Sequence, residues 1–176
     1  NLHLTILGKV FQAAGTDWHR AMRDLLGPLD IRPLTRLGEF AAAERALGYG
    51  PNGFSPPAPV ADFDFEGIAP ASAVCGSITE LARLGRALAL GGRELLPEGV
   101  WQEATRPQLA LAAPEWPELR QPCVALAGRN VVYRGELVMQ WAGGWQVYVS
   151  HLLALPARRA AACALASRTS AAAAEP

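Results

Sequence analysis

Apolar residues open the chain at three- and four-residue spacing, with Leu4, Leu7, Val10, Phe11 and Ala14 in register. That period predicts a helix over Leu2 to Ala14 with one buried face, and Gly15 supplies its C-terminal stop. Thr16 or Asp17 can cap a second helix through Leu26, apolar at Trp18, Met22, Leu25 and Leu26 and ended by Gly27-Pro28. From Asp30 to Ser72 the pattern dissolves into Pro, Gly and Ala, at a proline density that forbids a continuous helix or a central strand. Loops around one short helix near Glu39 to Leu47 are expected there. Periodicity returns at Ser77-Ile78-Thr79-Glu80, a capping box, followed by a stripe of Leu81, Leu84 and Leu88 that Gly91-Gly92 terminates. A shorter helix is expected from Pro97, a residue suited to a first turn, through Ala104.

After Pro122 the chain changes period. Val131 to Trp141 and Trp145 to Leu155 are rich in β-branched and aromatic residues, so they predict two antiparallel strands with Ala142-Gly143-Gly144 as the turn between them. Pro156-Ala157-Arg158-Arg159 predicts a second turn, and Ala160 to Ser167 a third strand. The alanine-rich residues 170–176 have nothing to pack against and are expected to fray. The sum is an α+β chain: helices, then a three-stranded antiparallel meander, in one domain portion over residues 1–169.

Composition excludes more than it identifies. Sixteen basic residues balance sixteen acidic ones, so no global field draws the chain to nucleic acid or anionic lipid. Every apolar run is broken short of the ~18 residues that a bilayer span needs. Cys75, Cys123 and Cys163 stand far apart, and His3, His19 and His151 add no ligand spacing, so neither zinc nor any cofactor is expected and the cysteines read as small core residues. Asp62-Phe63-Asp64-Phe65-Glu66 would align three carboxylates if extended. Such a comb could hold a hard cation, and the plainer reading is a half-buried strand with a solvated outer edge. The chain starts at Asn1 with no methionine or leader, so processing or truncation is expected to have removed the natural start, and the compartment is not readable.

A set of local patterns in one order resembles the C-terminal part of the serine β-lactamase and penicillin-binding-protein-like family, its class C-related branch in particular. Asn1-Leu2-His3-Leu4-Thr5-Ile6-Leu7-Gly8 is similar to the segment after the tyrosine of the Tyr-x-Asn motif, with Asn1 as the motif asparagine and the tyrosine two residues before the chain begins. Gly27-Pro28-Leu29-Asp30-Ile31 looks like a Pro-Leu-Gly-Met turn, and Leu47-Gly48-Tyr49 like an Ala-x-Gly-Tyr. The stretch Ala71 to Leu88 resembles the glycine-rich approach and Ser-x-x-Asp-Leu-Ala-Arg helix. Trp141-Ala142-Gly143-Gly144, followed by Tyr148, Ser150 and Leu155-Pro156, lies where the family writes His-Ser-Gly-Gly or Lys-Thr-Gly.

The resemblance implies acyl transfer through a serine activated by a lysine one helical turn later, in Ser-x-x-Lys. No serine here has lysine three residues on, and the single lysine, Lys9, follows Gly8 in the first helix. A catalytic nucleophile and base are therefore absent from the chain. Asn1, Trp141, Ala142, Gly143 and Gly144 are the family-equivalent substrate-binding positions. At two of them the family's cation and hydroxyl are replaced by side chains that supply neither. Trp141 could stack on a substrate or belong to the core or rim; Gly143 keeps a close-approach role, and the Gly144 amide could donate to an oxyanion. Ser150-His151 is no dyad, because strand neighbours face opposite sides. Two functions remain in view: part of an acyl-serine hydrolase, inert in isolation and taking a small-molecule substrate once completed, or a non-catalytic ligand-binding or interaction scaffold. In either, a sheet with an open edge is expected to need a partner chain or to be marginally stable.

Overall fold

The computed structural model describes residues 2–39, 45–52, 55–61, 66–72, 74–112, 119–145 and 147–167. Residues 62–65 of the expected Asp62 to Glu66 comb, most of the expected helix from Glu39 to Leu47, and the expected fraying tail therefore lie outside the described residues. Two compact units divide the chain, one comprising residues 1–80, 143–150 and 165–176, the other residues 81–142 and 151–164.

In the first unit, helix α1 (Leu2–Ala13) buries only Gly8. The Pro70 ring of the short helix α3 (Ala69–Ser72) occupies the space where a β-carbon on residue 8 would stand. This contact selects the inward side as Leu4, Thr5, Gly8 and Phe11, while Leu7 and Val10, expected to be buried, are about half exposed. Apolar residues lie on more than one side of α1, so spacing alone could not choose, and the glycine decides because only there can another backbone come close. Helix α2 (Trp18–Leu26) is capped by Asp17, whose carboxylate accepts the His19 amide at 3.0 Å. The buried His19 ring bonds Glu66 Oε1 at 2.9 Å, and Arg36 Nε stands 3.8 Å from the same oxygen.

Where loops were expected, Tyr49–Asn52 (β1) and Ser55–Pro59 (β2) pair as an antiparallel ribbon, Tyr49 opposite Pro59 and Gly50 opposite Ala58. A two-stranded ribbon has edges only, so proline's missing N–H can point outward, and the exclusion of a central strand still holds. Leu34 and Cys75 exchange backbone hydrogen bonds of 3.0 and 2.9 Å. A single carboxylate, Glu39, gathers the turn beside them: its Oε2 accepts the amides of the fully buried Thr35 at 2.7 Å and of Arg36 at 3.1 Å.

The second unit is organised by helix α4 (Ile78–Ala89), whose residues from Leu81 onward belong to it and which was the plainest helix in the sequence. Its capping box is formed as expected, Ser77 N–H to Glu80 Oε2 at 2.8 Å and Glu80 N–H to Ser77 Oγ at 3.2 Å. At the other end Gly91 and Gly92 take positive φ, and the Gly92 amide reaches back to Ala87 O at 2.9 Å, a Schellman closure. Helix α5 (Glu98–Thr105) follows Pro97.

One antiparallel sheet of six strands runs in the order β3-β4-β5-β6-β7-β8, each next to its neighbour in sequence: Leu109–Ala110, Leu119–Ala125, Gly128–Tyr133, Glu136–Trp145, Tyr148–Leu155 and Ala160–Ala166. The expected meander is thus present within a larger one. Two local corrections follow. Val131 to Trp141 is not one strand but a hairpin, β5 and β6, reversed at Arg134 and Gly135, both at positive φ. Ala142-Gly143-Gly144 is not a turn but the end of β6. An arginine at positive φ carries no turn signal, whereas two adjacent glycines do, so the pattern placed the reversal at the wrong pair.

Leu88, Ala89, Met139, Leu152 and Ala154 form a buried cluster, with Leu81, Leu84, Leu95, Trp101, Trp141 and Cys163 packed on it. Helix and sheet come close at Gly85, where a β-carbon would lie 2.8 Å from Leu152 Cδ1 and 2.9 Å from Ala161 Cβ. Past Leu155, Arg158 returns a forked bond to Glu136, its Nε 2.9 Å from each carboxylate oxygen, which holds that carboxyl below its ordinary range.

Two outcomes test this packing. Gly85→Val is expected to lower unfolding free energy by roughly 1–3 kcal/mol through overpacking, measured by urea denaturation, whereas Gly99→Ala, at a position with open space around it, should not do so. Glu39 is held below its ordinary value of 4.5, chiefly by the Thr35 amide and further by the Arg36 amide and the Arg23 charge. A carboxyl depressed in the fold adds stability above the unfolded value and loses it as pH falls through the folded one. The Tm drop on acidifying from pH 5 to about pH 3 should therefore be shallower in Glu39→Gln than in the parent.

Candidate functional site

Strand β6 carries four of the five expected site residues, and its relation to β5 decides what they can do. The ladder runs from Tyr133 opposite Glu136 to Arg129 opposite Gln140. A two-residue reversal makes Tyr133 and Glu136 a mutually hydrogen-bonded pair. The alternation then aims the N–H and C=O groups of residues 136, 138 and 140 at β5, and those of Ala142 and Gly144 to the same flank. Among the described residues the ladder ends at Gln140, so this flank of β6 has no strand opposite Ala142 or Gly144. Among the described residues β6 thus runs past Gln140 with no strand on this flank, and Ala142, Gly143 and Gly144 are exposed there.

Each side chain along it is accounted for. Trp141 is half buried on the β-sheet cluster with Met139, two residues back on the same face. Its indole Nε1–H donates to the Ala127 carbonyl in the β4–β5 turn, and its ring fills the space beside Gly128, whose φ of 146° and absent β-carbon admit it. Of the two readings the sequence left open, the indole's contacts are those of a core and rim residue. Ala142 presents an exposed methyl group. At Gly143 a β-carbon would stand 2.7 Å from Ser150 Oγ, and that hydroxyl donates to the Gly143 carbonyl at 3.4 Å. This serine, on β7, is the neighbour that sequence reasoning did not connect with the glycine; only the strand register brings them together.

In the same unit, Tyr148 O–H donates to Ala46 O at 2.9 Å, and Val147 packs where a side chain on Gly48 would be, so the start of β7 is fastened to the segment entering β1. Asn1 lies outside the described residues. Lys9, far from an activating role, donates to Gln12 Oε1 at 3.3 Å on the exposed side of α1. Burial pushes the Cys75 thiol up, away from a reactive thiolate. Among the described residues no group of three His, Cys, Asp or Glu side chains could hold a metal, and no helix is long and apolar enough to cross a membrane.

No protein-family model matches the sequence, and no curated protein matches it. Solved structures do. An octameric penicillin-binding protein homologue from Pyrococcus abyssi superposes over 91% of this chain with a TM-score of 0.69 at 12% identity. A D-stereospecific amidohydrolase from Streptomyces sp. superposes over 90%, with a TM-score of 0.69 at 19% identity. A structure described as SurE superposes over 94%, with a TM-score of 0.70 at 26% identity. The chain covers 36%, 46% and 39% of these proteins respectively, less than half of each.

Trp141→Phe removes the donor to Ala127 and keeps most of the apolar contact. A stability loss of about 1 kcal/mol is expected by chemical denaturation, with a larger loss for Trp141→Ala.

Proposed function

We propose, for a chain that carries part of the penicillin-binding-protein and β-lactamase-like fold, that it is the strand-bearing portion of an acyl-serine hydrolase whose nucleophile and base come from polypeptide outside these 176 residues. The observation that supports this is the bare flank of β6. Ala142 and Gly144 offer backbone N–H and C=O groups that no strand takes up among the described residues, at the position the motif resemblance assigns to substrate. An extended acyl donor can add to such an edge by main-chain hydrogen bonds, and on this reading the Gly144 amide is the donor to the oxyanion as charge develops. Removing one such donor typically costs on the order of 100-fold in rate.

The chain by itself has no route to covalent acylation. A serine hydroxyl needs a base within hydrogen-bond reach, and the one lysine stands on α1 with no serine three residues before it. Among the described residues Ala160–Ala166 is the last strand of the sheet, with no charge and no proline, the devices that normally protect an edge; Tyr49 N–H bonds Ser167 O at 2.8 Å just past its end, and further polypeptide or a partner chain is expected along the rest.

A second reading is favoured by one specific feature. Trp141 and Ala142 bring no cation and no hydroxyl to the site, which suits a scaffold that binds a ligand without turning it over.

The deciding experiment reads the coding sequence upstream of Asn1, expresses the extended protein, and treats it and the 176-residue chain with a fluorophosphonate. The expected result is one adduct, on a serine of an upstream Ser-x-x-Lys, and none on the short chain. An upstream sequence lacking both Ser-x-x-Lys and Tyr-x-Asn, or an adduct on any serine within residues 1–176, would overturn the hydrolase reading.

A further inference from the structure

We infer that the first unit carries a small-molecule binding cleft at the C-terminal end of α2, shaped for an apolar molecule that bears one carboxylate. The inference stands whether or not the hydrolase reading does, because every residue it uses lies between positions 23 and 80 of that unit.

A cleft of about 420 Å³, within the range of small-molecule sites, opens where the chain leaves α2. Ile31, Pro33 and Leu34 form its apolar wall, and Arg23, Arg32 and Glu39 bring the charged groups. The wall is held by backbone bonds that need no ligand. Ile31 N–H donates to Leu26 O at 3.3 Å, Arg32 N–H donates to Glu80 Oε1 at 3.0 Å, and Leu34 exchanges bonds with Cys75. Burial alternates along the segment: Ile31 and Pro33 are buried, Leu34 is half-buried and Arg32 is exposed. A cleft fastened in this way before a ligand arrives spares it part of the ordering cost of binding.

The charges decide which ligand fits. Glu39 is already occupied: its Oε2 accepts the Thr35 and Arg36 amides, and its Oε1 meets Arg23 Nη1 at 3.4 Å. That long bond engages one nitrogen of Arg23 and leaves the others with donors to offer. Arg32 gives its backbone N–H to Glu80, and among the described residues no carboxylate pairs with its guanidinium. Two arginines against one glutamate leave a single positive charge in excess on the cleft. One carboxylate balances that charge, and a guanidinium can take both of its oxygens in a forked pair, whereas a phosphate dianion would leave negative charge over. The apolar wall and the cationic rim together suit a medium-chain or aromatic acid, its body against Ile31, Pro33 and Leu34 and its carboxylate toward Arg32.

The test titrates the 176-residue chain by calorimetry with octanoate, 1-octanol and octyl phosphate, which share one tail and differ in the head. One octanoate per chain is expected, with 1-octanol at least about tenfold weaker and octyl phosphate no tighter than octanoate. Arg32→Gln should weaken octanoate about tenfold and leave 1-octanol unchanged, which also shows that the cleft is intact. Arg93→Gln, at an exposed arginine of the second unit, should change neither. Where Arg32→Gln weakens both ligands together, Arg32→Lys decides: a kept preference for octanoate over 1-octanol supports the inference, and a lost one overturns it. It is also overturned by the absence of one-site octanoate binding, by 1-octanol binding as tightly as octanoate, or by octyl phosphate binding about tenfold tighter.

Discussion

The end of the β5–β6 ladder at Gln140 is the constraint on which the functional reading depends. Strand β5 reaches back only to Gly128, because Leu126 and Ala127 are spent on the reversal from β4, and strand β6 continues for five residues beyond Gln140. A strand that outruns its neighbour has backbone groups left over, and these must find water, ligand or another chain. Trp141 marks the boundary. By bonding Ala127 and covering Gly128, the indole closes the end of the β4–β5 turn.

Glycine plays one role in both units, and it is proximity. Gly85 lets α4 settle on Leu152 and Ala161, Gly8 lets α1 meet Pro70, and Gly143 makes room for the Ser150 hydroxyl. None of these three needs an unusual φ; each is small because something else fills its side-chain space.

Local signals in the sequence were legible wherever a single residue type dictates the backbone. The Ser77–Glu80 capping box, the Gly91-Gly92 closure, the Asp17 cap and the strand from Ala160 all follow from such chemistry and are present. Features set by distant partners were not legible. The Arg134-Gly135 reversal depends on the pairing of β5 with β6, not on a turn-forming dipeptide, and it displaced the expected turn at Ala142 to Gly144 into a strand. The same holds for the inward side of α1, which Pro70 selects, and for the β1–β2 ribbon, whose prolines argue against a strand until it is seen to have no central position. For the candidate site, the flank that the β6 residues face was not readable, because that depends on where another strand stops.

Two explanations compete for the altered motif at Trp141 and Ala142, and the indole's contacts bear on the choice. If the motif had simply decayed once its cation was no longer needed, the replacement would be expected to be small or solvent-facing, since nothing would hold a large ring in place. Instead Trp141 is half buried, hydrogen-bonded and packed with Met139 on the core cluster, with Gly128 shaped to receive it. A tryptophan fitted to a complementary glycine is an integrated piece of the turn, and its cost if removed would fall on the sheet as well as on the site. The indole at position 141 thus stabilises the end of β6. An edge that recognises through main-chain groups is tolerant of side-chain chemistry and intolerant of changes in strand position.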